Sequence, residues 1–265
     1  KYYTEVVGQD ANVTVHTYVN DAAQAANAKV VVELLDAEGN VIAEAEGLEV
    51  VLHVPKVHLW DGLDDPYLYQ LKATLMKHGT EVDEISCNCG VRTFEFSPKD
   101  GFHLNGRPYP LHGASRHQDF KGIGNAITKE HHDRDMELMK EVGDNTIRLA
   151  HYQHDQYFYD LCDKYGFYVF DEADIETHGM GWLGLSQWEY QADRPEWRES
   201  ILDRIQMMVE RDKNRPCVTM WSMGNESGYG ANFEAAIDWC HDRDATRYVH
   251  YEGVNDYAVY DDLST

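Results

Sequence analysis

Two rhythms of apolar and polar residues run along this chain, and one gives way to the other near residue 97. Before that point the spacing is two. Val13-Thr14-Val15-His16-Thr17-Tyr18-Val19 alternates, and Val30-Val31-Val32-Glu33-Leu34-Leu35 runs into the turn residues Asp36-Ala37-Glu38-Gly39-Asn40. The stretch from Tyr67 to Leu75 ends at His78-Gly79. Successive side chains of an extended segment face opposite sides, so this pattern predicts short strands with one buried face. Several such strands, closely spaced, predict an immunoglobulin-like β-sandwich over residues 1–96. Nothing in it offers catalytic chemistry, which leaves it a structural or positioning role.

After Ser97-Pro98-Lys99-Asp100-Gly101 the apolar spacing becomes helical, interrupted by short apolar runs. Thr128 is placed to cap a helix whose apolar face is His132, Met136, Met139 and Val142 and which closes at Gly143; Asn145 to Leu149 then reads as a strand. A second helix carries Tyr157, Phe158, Leu161, Cys162 and Tyr165, stops at Gly166 and precedes the strand Phe167–Phe170. The longest helix starts near Pro195, shows Trp197, Ile201, Ile205 and Met208 on one face, and ends at Arg215-Pro216 before the strand Cys217–Trp221. A last helix with Ala236, Ile237 and Cys240 leads to Tyr248–Tyr251. Repeated β-α units imply a parallel sheet over residues 97–265, either open and doubly wound or rolled into a (β/α)8 TIM barrel. With a first strand near Tyr109-Pro110-Leu111-His112 there are five strands, and a barrel needs eight and about 250 residues. If it is a barrel, it is incomplete within this sequence.

The 23 Lys+Arg against 47 Asp+Glu, a net charge of −24, repel phosphate backbones and anionic lipid, so neither nucleic acid nor a membrane is an expected partner. No apolar run reaches the roughly 18 residues of a membrane span. The five cysteines show no disulfide framework and no zinc spacing; Cys162, Cys217 and Cys240 sit in apolar segments as small buried residues, and reduced thiols in a cytoplasmic protein are expected.

Ionisable residues gather just after each proposed strand: Ser115-Arg116-His117-Gln118-Asp119, then Arg148 with His151-Tyr152-Gln153-His154, then Asp171 to Gly179, then Gly224-Asn225-Glu226-Ser227-Gly228. Each alone reads as a solvated loop. Four on one rim of a sheet point to a site at the C-terminal ends of the strands. Glu176 and His178, two apart in an extended segment, project to one side and suit a divalent cation, or else are a surface Glu and a capping His. Glu226 follows an apolar strand between two glycines, where a carboxylate can serve as a general acid, though a glycine-flanked Glu is more often an ordinary loop residue. Trp182, Trp188 and Trp221 suit stacking on sugar rings, with most aromatics expected in the core. His131-His132 reads as solvated or partly packed, opposite the rim.

The runs Leu104-Asn105-Gly106-Arg107-Pro108, Arg116-His117, Asn145 to Tyr152, Leu161 to Gly166, Asp171 to Met180 and Trp221 to Gly228 resemble the large bacterial β-galactosidases of glycoside hydrolase family 2. The resemblance covers the chain from about residue 100 onward, and residues 1 to about 96 resemble the immunoglobulin-like domain preceding the family's barrel. It implies hydrolysis of terminal β-D-galactose from β-galactosides such as lactose. Glu226 then matches the acid/base of a retaining double displacement and Asn225 the contact to the galactosyl 2-hydroxyl. Glu176, His178 and Glu226 match the ligands of a magnesium ion, His117 and His151 the histidines lining the galactose subsite, and Arg148 a support of its floor. A homo-oligomer is implied for the full-length enzyme.

The sequence departs from the family in three places. Asp174 stands where many members have Asn, and Ser115 to Asp119 replaces a His-richer run. The nucleophile, a second Glu at the end of strand seven, has no counterpart after Tyr251; Glu252 matches a residue after strand five. The chain is therefore expected to be an internal piece, carrying the acid/base half of the site and inactive alone. The competing expectations are a non-catalytic carbohydrate-binding or assembly module and a zinc-type metallohydrolase at Glu176 and His178.

Overall fold

A computed structural model describes residues 1–21, 28–183 and 190–254. The chain divides into two compact units, one comprising Lys1–Pro110 with the short pieces Asp163–Gly166 and Asn214–Pro216, the other comprising the rest from Leu111 onward.

In the first unit β1 (Tyr2–Val7), β2 (Asp10–His16), β3 (Lys29–Leu35), β4 (Val41–Glu46) and β5 (Glu49–Val54) are followed by the two-residue ladder of β6 (Trp60–Asp61) with β7 (Asp65–Pro66). Then come the long hairpin β8 (Tyr69–Lys77) and β9 (Thr80–Cys89) and the small sheet of β10 (Phe94–Ser97), β11 (Gly101–Leu104) and β12 (Arg107–Pro108). Two sheets, ordered β1-β2-β5 and β4-β3-β8-β9, build the sandwich with antiparallel pairing throughout. The period-two pattern is what they bury. Val13 and Val15 of β2 and Leu52 and Val54 of β5 share one core with Val32 and Leu34 of β3 and Leu71 of β8, while the alternate residues face outward.

The second unit holds a five-stranded parallel sheet in sequence order: β13 (Gly113–Arg116), β14 (Thr146–Leu149), β15 (Tyr168–Glu172), β16 (Val218–Ser222) and β17 (Tyr248–His250). Helices α1 (Lys129–Val142), α2 (Gln156–Tyr165), α3 (Gly179–Trp182), α4 (Tyr190–Asp193), α5 (Arg198–Asp212) and α6 (Ala231–Arg243) connect them. Every residue of β16 is buried, as expected of a parallel strand covered on both faces. This is part of a TIM-barrel-like sheet in unbroken order.

The first barrel strand lies four residues beyond the expected 109–112, because Pro108 and Pro110 cannot donate to a parallel ladder and the pairing starts after them. Helix α1 is capped as expected by Thr128 and Gly143, but only His132 and Met136 of its proposed face are buried; Val142, in the last turn, is 75% exposed. His132 is not opposite the rim. A helix following a parallel strand begins at that strand's C-terminal end, so the first turn of α1 lies against the end of β13, and His132 is buried there. Trp221 is fully buried with its indole N–H on Asp244, which makes it core rather than a sugar platform. Trp188 lies outside the described residues, as does the side chain of Trp182.

Candidate active site

The C-terminal ends of β14, β15, β16 and β17 deliver Arg148, Glu172, Ser222 and His250 to one rim, where one carboxylate organises the rest. Glu172 is completely buried. It accepts a fork from Arg148, Nε to Oε2 at 2.7 Å and Nη2 to Oε1 at 2.9 Å, together with the Ser222 hydroxyl at 2.6 Å. Nδ1 of His151 lies 2.6 Å from the same carboxylate. An ionised carboxylate only accepts, so the His151 proton on that side resides on Nδ1 and leaves Nε2 as the ring nitrogen open to a ligand. Burying a charge this deeply is tolerable only with such partners, and Glu172 has four donors on its two oxygens.

Asn225, 7% exposed, extends this arrangement outward. Its Oδ1 accepts from Arg148 Nη2 at 3.0 Å, its Nδ2 donates to Glu176 at 3.1 Å, and its backbone N–H donates to the Ile175 carbonyl at 2.8 Å. The loops after β15 and β16 thus run side by side, and Gly224 permits it. At φ +145 it occupies backbone space that favours glycine, and a Cβ there would stand 2.7 Å from the Ile175 carbonyl oxygen. Ser227 ties the loops again, accepting from the Thr177 amide and donating to the Asn225 carbonyl.

At the outer end stand Glu176, His178 and Glu226, whose ligand atoms all lie within 4.8 Å of one another. His178 Nδ1 is 3.3 Å from Glu176 and 3.1 Å from Glu226. Two carboxylates and one imidazole fit a hard cation that keeps several waters: three protein donors, mostly oxygen, leave half of an octahedral shell to solvent or ligand. Glu226 has φ +43, a left-handed conformation uncommon outside glycine, and its side chain is about half exposed.

His117 follows Arg116, the last residue of β13, and its ring stands edge-on to His151 with centroids 5.2 Å apart. Arg116 is buried and clamped: Asp135 takes two of its N–H groups at 3.0 and 2.7 Å, His154 accepts at 3.0 Å, and the guanidinium stacks 4.0 Å over Phe158. Burial and the Arg116 charge push the His154 imidazole down to about 3, so it stays neutral and accepts. Burial, with Arg148 nearby, also lowers His250. Arg148, Asn225, Glu226, His250 and Glu252 line an open cleft of about 460 Å³ together with Gly113, Ala114 and Ser115 of β13, large enough for a sugar.

The structure therefore gathers all seven residues proposed from sequence, with Asp174 turned aside to Arg204 at 3.7 Å. Sequence reading gave no role to Glu172, Ser222, His250, Glu252 or His154. The position of Glu172, Ser222 and His250 as last residues of apolar parallel strands was the available signal.

Residues 98–265 match the family described as "Glycosyl hydrolases family 2, TIM barrel domain" and residues 1–92 match "Glycosyl hydrolases family 2". A beta-galactosidase of Priestia megaterium is 38% identical over 83% of this chain, and one of Lactococcus lactis 36% over 93%. The chain spans 22% and 24% of the length of those two relatives. The crystal structure of Ruminococcus gnavus beta-glucuronidase superposes with a TM-score of 0.80 at 29% identity, over 94% of this chain and 42% of that one.

Proposed function

The chain belongs to glycosyl hydrolase family 2, and we propose that it carries the acid/base and metal-binding part of a retaining β-galactosidase site. The observation that carries this reading is Glu226 in the loop after β16, on the wall of the cleft and beside Asn225, whose amide is oriented from both ends by Arg148 and Glu176.

In this reading Glu226 protonates the glycosidic oxygen as the bond to galactose breaks and then takes a proton from the incoming water. Asn225, held by its two partners, presents its remaining amide capacity to the 2-hydroxyl. His151, with Nδ1 committed to Glu172, offers Nε2 to a sugar hydroxyl, and His117 packs against it. Glu176, His178 and Glu226 would hold magnesium, which would supply positive charge beside the Glu226 carboxylate. The nucleophile we assign to a second Glu outside this sequence, so that the isolated chain lacks turnover, and we place the whole enzyme in the cytoplasm as a homo-oligomer.

A galactoside is favoured over a glucuronide by charge. Glu226 and Glu252 line the cleft, and Arg148, the one Lys or Arg on its wall, is already committed to Glu172 and Asn225. A neutral sugar enters without repulsion; a uronate does not.

The test uses the enzyme with its remaining segments present. Glu226→Gln should slow galactosides with poor leaving groups far more than activated ones, because only the former need a proton in the first step. Equal loss on both, or preference for a nitrophenyl glucuronide, overturns the reading. Absence of turnover in that complete protein would favour a binding or assembly module.

A further inference from the structure

The loop that carries Glu226 is held from the next strand over by three consecutive residues. The His250 carbonyl accepts from the Met223 amide at 2.9 Å, the Tyr251 hydroxyl donates to the Gly228 carbonyl, and the Glu252 carboxylate accepts the Glu226 amide at 2.6 Å. Tyr251 is fully buried and stacked on Phe233 at 4.3 Å, which makes it a rigid anchor. The chain then passes so close that a Cβ on Gly253 would meet both the Tyr251 ring and the Gly228 carbonyl. The Glu252 contact falls on the one non-glycine residue of the loop with a left-handed backbone, Glu226 at φ +43.

We propose that Glu252 is a positioning residue for Glu226: its carboxylate captures the Glu226 amide and holds the left-handed backbone turn that aims the Glu226 side chain at Glu176 and His178. An amide on a residue in that conformation has no strand partner, and a carboxylate is the strongest acceptor a side chain can offer it. Without it the backbone relaxes toward ordinary φ values and the Glu226 carboxylate swings away from the other two ligands. The metal part of this inference rests on the site proposed above; the backbone part does not.

The test uses the 265-residue chain itself, wild type, Glu252→Ala and Glu252→Gln, with two readouts. Hydrogen exchange of the Glu226 amide, followed by NMR, reports the contact directly. Wild type and Glu252→Gln, which keeps an acceptor oxygen, protect this amide; Glu252→Ala loses protection there while the amides of β16 remain protected. Magnesium titration by calorimetry reports the consequence, with Glu252→Ala weakening the ion about tenfold or more, the usual effect of removing a residue that orients a ligand, and Glu252→Gln much less. Unchanged exchange at Glu226 in Glu252→Ala overturns the proposal. If Glu252→Ala does not fold, loss of Glu226 protection in folded Glu252→Gln overturns it instead. Wild-type chain that binds no magnesium defeats the metal site alone, and the exchange readout still decides the role of Glu252.

Discussion

Arg148 and Glu172, 24 residues apart in sequence, form a two-pronged ion pair at the end of neighbouring parallel strands, with the carboxylate wholly inside the protein and the guanidinium one-quarter exposed. Three further site residues hang from this pair: His151 through Oε1 of the carboxylate, Asn225 through Nη2 of the guanidinium, which it shares with Glu172, and Glu176 through Asn225.

Replacing Glu172 by Gln should therefore be costly well beyond the loss of one contact. Arg148, one-quarter exposed, would lose its counter-charge, and because solvent reaches it in part the cost lies below the about 3–5 kcal/mol of breaking a fully buried pair, at about 2–3 kcal/mol. Urea unfolding of the chain measures it. A loss under about 1 kcal/mol would show that the pair is not the anchor described here.

Magnesium should raise the melting temperature of the wild-type chain, and chelator should return it to the starting value, because a ligand that binds only the folded state stabilises it by mass action. His178→Ala and Glu176→Gln should each abolish the rise, since two remaining donors do not hold a cation that dehydrates reluctantly. A rise that persists in both variants places the ion elsewhere. Stoichiometric zinc in the purified chain would favour a metallohydrolase instead.

The buried His154 should make stability fall with acid. Its imidazole is held down to about 3 by burial and by Arg116, with His132 and His117 adding in the same direction and the Ala150 backbone opposing. The unfolded chain takes up a proton below about pH 6.5 and the folded one does not, so this contribution is complete above that value. It is lost as pH falls from there toward 3, at no more than about 1.4 kcal/mol per pH unit. Between pH 7 and 5, His154→Gln, which keeps an acceptor for Arg116, should show a flatter dependence of unfolding free energy than wild type. Parallel curves would mean that His154 is not buried neutral.

The isolated chain should hydrolyse no chromogenic galactoside and should self-associate. Among the described residues the parallel sheet ends at β13 and β17, and the β13 residues Gly113, Ala114 and Ser115 are exposed, leaving strand edges able to pair with another copy. Light scattering coupled to size exclusion and a nitrophenyl galactoside assay check both. Turnover abolished by Glu226→Gln would overturn the assignment of the nucleophile to another segment.

The sequence by itself determined the elements and the order in which they meet. The alternation through β2 and β3, the Thr128 and Gly143 caps of α1 and the apolar runs of β14 to β16 are local signals, each decided by residues within a few positions of one another. It also indicated which loops carry chemistry, since polar residues after parallel strands share one rim whatever the details of packing. Only the tertiary structure decided how those residues are used. Glu172 and Glu176 look alike in sequence, both acidic and both following an apolar strand. One ends inside the protein beneath Arg148, His151 and Ser222, and the other stands partly exposed beside His178 and Glu226. The contacts that make this difference join residues 49 apart for Asn225 with Glu176 and 26 apart for Glu226 with Glu252. No local pattern records such separations, because burial and partner are set by which strand ends the fold brings side by side.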